Sequence, residues 1–158
     1  MNANEQLITR FYTAFQKHDA ATMAACYHPD VQFSDPVFTD LKGPRAGAMW
    51  TMLNQKAEQL KIEFRDVKAD DKAGSCHWEA WYPFSATGRN VHNIIEASFE
   101  FRDGKIVKHS DRFSFHRWAG QALGTTGKLL GWTPLVQNKV RTMAAKSLAA
   151  FEAGTTRS

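Results

Sequence analysis

Cysteine is scarce in this 158-residue chain: only Cys26 and Cys76 occur, far apart in sequence. That spacing suits neither a disulfide framework nor a metal knuckle, so reduced thiols in a cytoplasmic protein are expected. No apolar run approaches the roughly 20 residues a membrane span requires. The opening stretch MNANEQLITRFYTAFQKHD lacks the basic-then-apolar layout of a signal peptide. A soluble protein with no membrane partner follows as the expectation. Basic residues form no run either. Lys42, Arg65, Lys105, Lys108, Arg117, Lys128, Lys139, Arg141 and Lys146 are scattered despite a net charge of +4. With no motif of a nucleic-acid module beside them, nucleic acid is not an expected partner. His18, His28, His77 and His92 offer no i, i+4 pair and no C-x₂-C neighbour, so no metal is expected. Internal repeats and low-complexity segments are also missing.

What the chain has is aromatic weight: eleven Phe and five Trp, in an otherwise ordinary 43% hydrophobic and 23% charged composition. One domain with a sizeable core is expected.

Helical spacing of Leu7, Ile8, Phe11, Ala14 and Phe15 predicts a helix over 4–17. Asp19 reads as the N-cap of a short second helix ended by His28-Pro29. A short strand, DVQFSD, places Val31, Phe33 and Asp35 on one side, and DPVFTDLKGP reads as turn. Ala46, Met49, Trp50 and Leu53 predict a third helix over about 44–57. The period then changes to two. Four strands follow, with TGRN and RDGK as hairpin turns. The tail is helical in character from about 116 to 152, its last helix opening on Thr133 and Pro134.

The last strand, KIVKHSDRFSF at 105–115, poses the functional question. Alternation puts Val107, His109, Asp111, Phe113 and Phe115 on one face, so a histidine and an aspartate turn inward with the phenylalanines. A buried carboxylate requires partners, water or a job. The expected fold is α+β: a cone-shaped, strongly curved antiparallel sheet closed by N-terminal helices over 1–117, with a helical extension over 118–158. Inward parity brings Asp35, Asn93, His109 and Asp111 together. Trp78, Tyr82, Phe113, Tyr12, Tyr27 and Trp50 ring them, and Trp81 faces the opposite side.

RFYTAFQKHDAATMAACYHPDVQFSDPVF, GPRAGAMW and ASFEFRDGKIVKHSDRFSF resemble the nuclear transport factor 2-like superfamily. Within it they are similar to the SnoaL-like polyketide cyclase and ketosteroid isomerase branch, over roughly residues 4–117. The resemblance implies the cone fold, and a scaffold that hosts many chemistries. In ketosteroid isomerases the proton-shuttling aspartate stands in an Asp-Pro-Val context, which here is Asp35. Their two oxyanion donors fall on Phe11 and Ala97, which cannot donate, so steroid isomerisation is not implied. The acid–base aspartate of SnoaL-like cyclases corresponds to Asp111. Limonene-epoxide hydrolases add an arginine and a second aspartate, which fall here on Trp78 and Ala80.

The resulting expectation is a cofactor-free isomerase, cyclase or lyase acting on a small hydrophobic carbonyl compound. Asp111 is its principal acid–base, polarised by His109, and Asp35 is a second proton carrier. Asn93, Tyr12 or Tyr27 donate to an enolate, and Trp50, Trp78, Tyr82 and Phe113 form the walls. The alternative is a non-catalytic module that holds a hydrophobic ligand in the same cup. A third reading offers the outer sheet face, with Trp81 and Pro83, to another chain, first of all as a homodimer.

Overall fold

Asn2 starts the first helix by accepting the Glu5 N–H at 2.9 Å, while the Glu5 carboxylate accepts the Asn2 N–H at 3.0 Å. This reciprocal cap satisfies two donors that a helix end otherwise leaves free. The computed structural model describes residues 1–56 and 59–156. Its elements are α1 (Ala3–Gln16), α2 (Ala20–Ala25), β1 (Tyr27–Ser34), β2 (Leu41–Lys42), α3 (Pro44–Lys56), β3 (Lys61–Ala69), β4 (Ala73–Pro83), β5 (Asn90–Arg102) and β6 (Lys105–Arg112). Three C-terminal helices follow: α4 (Phe115–Leu123), α5 (Thr125–Leu130) and α6 (Pro134–Thr156). None of the described helices is long and apolar enough to cross a membrane.

The α+β cone expected from the sequence is the fold observed. One six-stranded sheet runs β2-β1-β6-β5-β4-β3. Ile8, Phe11, Tyr12 and Phe15 of α1 and Met49 and Trp50 of α3 fill its concave face together with Ile62, Trp78, Ile95 and Phe99. Asp103 and Gly104 both take positive φ at the β5–β6 turn (54° and 72°), the geometry an Asp-Gly hairpin uses.

Several details differ from the sequence expectation. The sheet is not wholly antiparallel, because β1 lies parallel to β6. No hairpin joins those two strands, so nothing in the connection imposes opposite directions. His28-Pro29 does not end α2. Pro29 sits inside β1, where the pairing register breaks between Tyr27 and Gln32, a place that tolerates a residue with no N–H. The turn-rich DPVFTDLKGP contains the two-residue strand β2. The last strand stops at Arg112. Ser114 then accepts the Arg117 N–H as N-cap of α4, so Phe115 is helical and belongs to the second core cluster. The phase of β6 also shifts. Phe101 pairs Ile106 and Glu100 pairs Lys108, so Val107 is the extra residue of a bulge. Ile106 is therefore buried and Val107 only half so. Residue 57, expected in the third helix, lies outside the described residues.

The tail covers the cone mouth. Phe115, Trp118, Ala119 and Ala122 of α4 form a cluster with Val91, against which Val37, Tyr82, Phe113 and, from α6, Val136 and Val140 pack. Arg141 of α6 donates from Nε to the Pro36 carbonyl at 2.9 Å. Gln121 accepts the His92 N–H at 2.6 Å. These bonds tie the helices to the loop carrying Asp35 and to the rim of the sheet.

Candidate active site

Register builds the site. Across the inner face Phe33 pairs His109, which pairs Phe99, and two residues on Asp111 pairs Ala97, which pairs Cys76. Beyond the Val107 bulge the alternation is regular again, so His109 and Asp111 share the inward face. His109 is 0% and Asp111 4% exposed. Phe99, Phe33 and Phe11 wall the imidazole at ring-centroid distances of 4.5, 5.0 and 5.5 Å, and the Trp50 indole lies nearly parallel to it at 6.1 Å.

A continuous hydrogen-bond chain runs through these groups. Trp50 Nε1 donates to the Tyr27 hydroxyl at 2.8 Å, and Tyr27 meets His109 Nδ1 at 2.8 Å. His109 Nε2 meets Asp111 Oδ1 at 2.9 Å, and Trp78 Nε1 donates to the same oxygen at 3.3 Å. An indole can only donate, so both ends of the chain are directional. Tyr27 accepts from Trp50 and gives its single proton to Nδ1. With that assignment the imidazole proton sits on Nε2 and is donated to Asp111. Every donor then has an acceptor, which is the condition for a stable buried polar network.

Asp35 stands apart from this chain. It lies just past the end of β1 and its Oδ1 accepts the Val37 and Phe38 N–H groups at 2.7 and 2.5 Å, organising the turn. Its other oxygen has no hydrogen bond among the described residues. Burial, reinforced by the charge of Asp111 and opposed by the Phe38 and Val37 N–H bonds, pushes its carboxyl up to about 7. Tyr82 lies within electrostatic reach. Burial raises its hydroxyl to about 12, with the Trp118 bond opposing and Asp35 adding to the rise. Trp118 Nε1 donates to that hydroxyl at 2.8 Å, so the tyrosine's own proton stays available.

Asn93 is buried on the inner face but, among the described residues, bonds to none of Asp35, His109 and Asp111. Tyr27 is spent on the His109 chain, and Phe113 is half-buried against the α4 cluster. Trp50 and Trp78, expected as walls, are donors as well. The Tyr12 hydroxyl is buried without a hydrogen-bond partner among the described residues. Burial first, then Asp111, Cys76 and Tyr27, raises its pKa well above the ordinary value. Tyr12→Phe is expected to keep or raise stability, by up to about 1 kcal/mol in urea unfolding, since an unmade bond is removed with its desolvation cost. Trp118 escaped the sequence reading, because only the α4 cap at Ser114 places it over the mouth. Trp81 lies on the outer face as expected, stacked on His92 at 4.5 Å with Lys61 Nζ 5.2 Å from the ring centroid.

A cavity of about 360 Å³ lies at the rim of the sheet, lined by Trp81, Tyr82, Pro83 and Val91 together with Asn90, His92 and Gln121. Neither it nor a larger neighbour touches Asp35, His109 or Asp111 directly. No group of three or more His, Cys, Asp or Glu among the described residues could hold a metal ion.

Solved structures share this fold at low identity. An LEH-like epoxide hydrolase of M. tuberculosis is 20% identical, with a TM-score of 0.60 over 85% of this chain and 95% of that one. A candidate polyketide cyclase from Silicibacter sp. TM1040 is 19% identical, with a TM-score of 0.63 over 74% and 93%. A Catenulispora acidiphila protein of ketosteroid isomerase-like fold, in complex with trimethylamine, is 12% identical, with a TM-score of 0.66 over 81% and 97%. No curated protein matches the chain. The SnoaL-like domain model matches residues 8–109, spanning β1, β3–β5 and most of the helices that close the cone. By that match the chain belongs to the SnoaL-like domain family.

Proposed function

We propose that the protein moves a proton next to the carbonyl of a small hydrophobic substrate, as an isomerase, cyclase or lyase without a cofactor. What carries this reading is the setting of Asp35: a half-buried carboxyl with one oxygen pinned by two backbone N–H groups and the other unbonded among the described residues, and burial pushes it up to about 7. A group titrating near neutral pH can both take and return a proton, which is the optimum for acid–base catalysis. Asp35 is then the acid–base, and Tyr82, polarised by Trp118, donates to the oxygen that gains charge. Asp111, fixed by His109 and Trp78, is the standing charge that helps hold the Asp35 carboxyl up. The substrate enters along Trp81, Tyr82, Pro83 and Val91.

The neighbours' names support a small-molecule enzyme in the coarse sense: an epoxide hydrolase and a candidate cyclase. A binding module is favoured by the non-donating Phe11 and Ala97 at the positions where steroid isomerases place their oxyanion donors. A panel of apolar ketones in D₂O separates the two. Catalysed deuterium uptake at the α-carbon, falling about tenfold to a hundredfold in Tyr82→Phe, is the expected result. Ketones that quench tryptophan fluorescence, and so bind, yet show no exchange would establish the module instead.

A further inference from the structure

A larger cavity, of about 720 Å³, lies outside the cone between the β4–β5 turn and α4–α5. It is lined by Arg89, His116, Arg117 and Lys128, with Gly88, Asn90, Ser114, Gly120 and Gln121 completing the wall. No carboxylate is among its lining residues. Both guanidinium groups are held by main-chain oxygens rather than by acids: Arg89 Nε donates to the Gln121 carbonyl and Arg117 Nη1 to the His92 carbonyl, each at 2.7 Å. His116 is fixed against the Lys128 carbonyl at 2.8 Å. Among the described residues none of Arg89, His116, Arg117 and Lys128 enters an ion pair, whereas Arg45, Arg65, Lys61 and Lys108 all do.

Glycines shape this wall. A Cβ at Gly124 (φ 72°) would come within 3.3 Å of the Arg89 guanidinium, and one at Gly120 within 3.2 Å of Lys128 Cγ. A Cβ at Gly127 would collide with the Ala119 carbonyl, so that glycine lets α5 lie on α4 and brings Lys128 to the cavity. The sequence carries a matching signal that scattered basic residues conceal. From Arg112 to Phe151 there are six Lys and Arg and no Asp or Glu.

We propose that this cavity binds a phosphate-bearing small molecule. Three permanent positive charges with no lining acid exceed what a single carboxylate would neutralise, and guanidinium forks fit phosphate oxygens two at a time. Preorganised guanidiniums lose little freedom on binding. The second cavity shares Asn90 and Gln121 with this one and leads to Tyr82, so an apolar remainder of the ligand has a path along the rim. The phosphate comes from a soluble compound or from a lipid headgroup. Leu129 and Trp132, 67% and 66% exposed, stand beside Lys128 and make the second source chemically sensible. The phosphate end of the site stands apart from Asp35, which lines neither cavity.

Isothermal titration of the full chain with inorganic pyrophosphate at fixed ionic strength is the test. Saturable one-site binding is expected, weakened about tenfold or more by Lys128→Met and by Arg117→Met, and unchanged by Arg45→Met, which removes a cation elsewhere. Lys128→Met keeps the test decisive even where Arg117→Met fails to fold, because the Lys128 ammonium holds no part of the structure together among the described residues. Co-sedimentation with phosphatidic acid vesicles that Lys128→Met abolishes identifies the lipid source, and pyrophosphate binding without vesicle binding identifies the soluble one. Absence of both, or equal weakening by Arg45→Met, overturns the proposal.

Discussion

Asp111→Ala is expected to lower the unfolding free energy by about 2–5 kcal/mol, because two buried donors lose their acceptor at about 1–3 kcal/mol each. The residue is 4% exposed, and its Oδ1 accepts from both His109 Nε2 and Trp78 Nε1. Truncation leaves two buried donors with no acceptor, and their desolvation is no longer offset. Asp111→Asn keeps an acceptor oxygen at the same place and should cost about 1–2 kcal/mol. Urea unfolding at pH 7, with the slope unchanged, measures both. A cycle with His109→Ala should return a coupling of about 1–3 kcal/mol, because the two side chains are members of one network. A loss under about 1 kcal/mol for Asp111→Ala, or additive single losses, would mean the chain from Trp50 to Trp78 does not hold the cone together.

That network was only half legible in the sequence. His109 and Asp111 fall on one face by simple alternation, and both lie beyond the bulge, so the shift at Val107 left their phase intact. The same bulge reversed the expectation for Ile106 and Val107, since an inserted residue exchanges the two faces on one side of it. Strands β4 and β5 were readable because nothing interrupts their pairing from Ala73 to Pro83. Pro29 misled because proline ends helices more often than it occupies a strand irregularity. The indole donors were invisible for a different reason. Which of several inward tryptophans can reach a given oxygen depends on the small partner beside it, here Ala97 opposite Asp111, and on helix placement. Trp118 required the α4 cap, and the cationic cavity required Gly120, Gly124 and Gly127 to bring α4, α5 and the hairpin together. Sequence spacing carries strand phase well, whereas it carries little about contacts between a late helix and an early loop.

Asp35→Asn is expected to abolish turnover, by about a hundredfold to ten-thousandfold, the usual contribution of a positioned acid–base group. It is also expected to stabilise the folded protein at alkaline pH. In the folded chain the carboxyl lies at about 7, above the roughly 3.9 of an unfolded aspartate. Below about pH 4 both states hold the proton and the group contributes nothing. Between about pH 4 and 7 the folded state binds more protons than the unfolded one, so stability falls as pH rises, and the penalty is complete above about 7. The amide keeps an oxygen for the Val37 and Phe38 N–H groups while removing the ionisation. The variant should therefore exceed the wild type in stability at pH 8, with the difference closing toward pH 4. Wild-type exchange of the ketone α-proton should rise with pH through about 7, as the base form of Asp35 accumulates. Loss of activity together with gain of stability is the signature of a strained functional group. Equal loss of stability at pH 4 and pH 8 would instead make Asp35 a turn-former only, and the proton-transfer reading would fall with it.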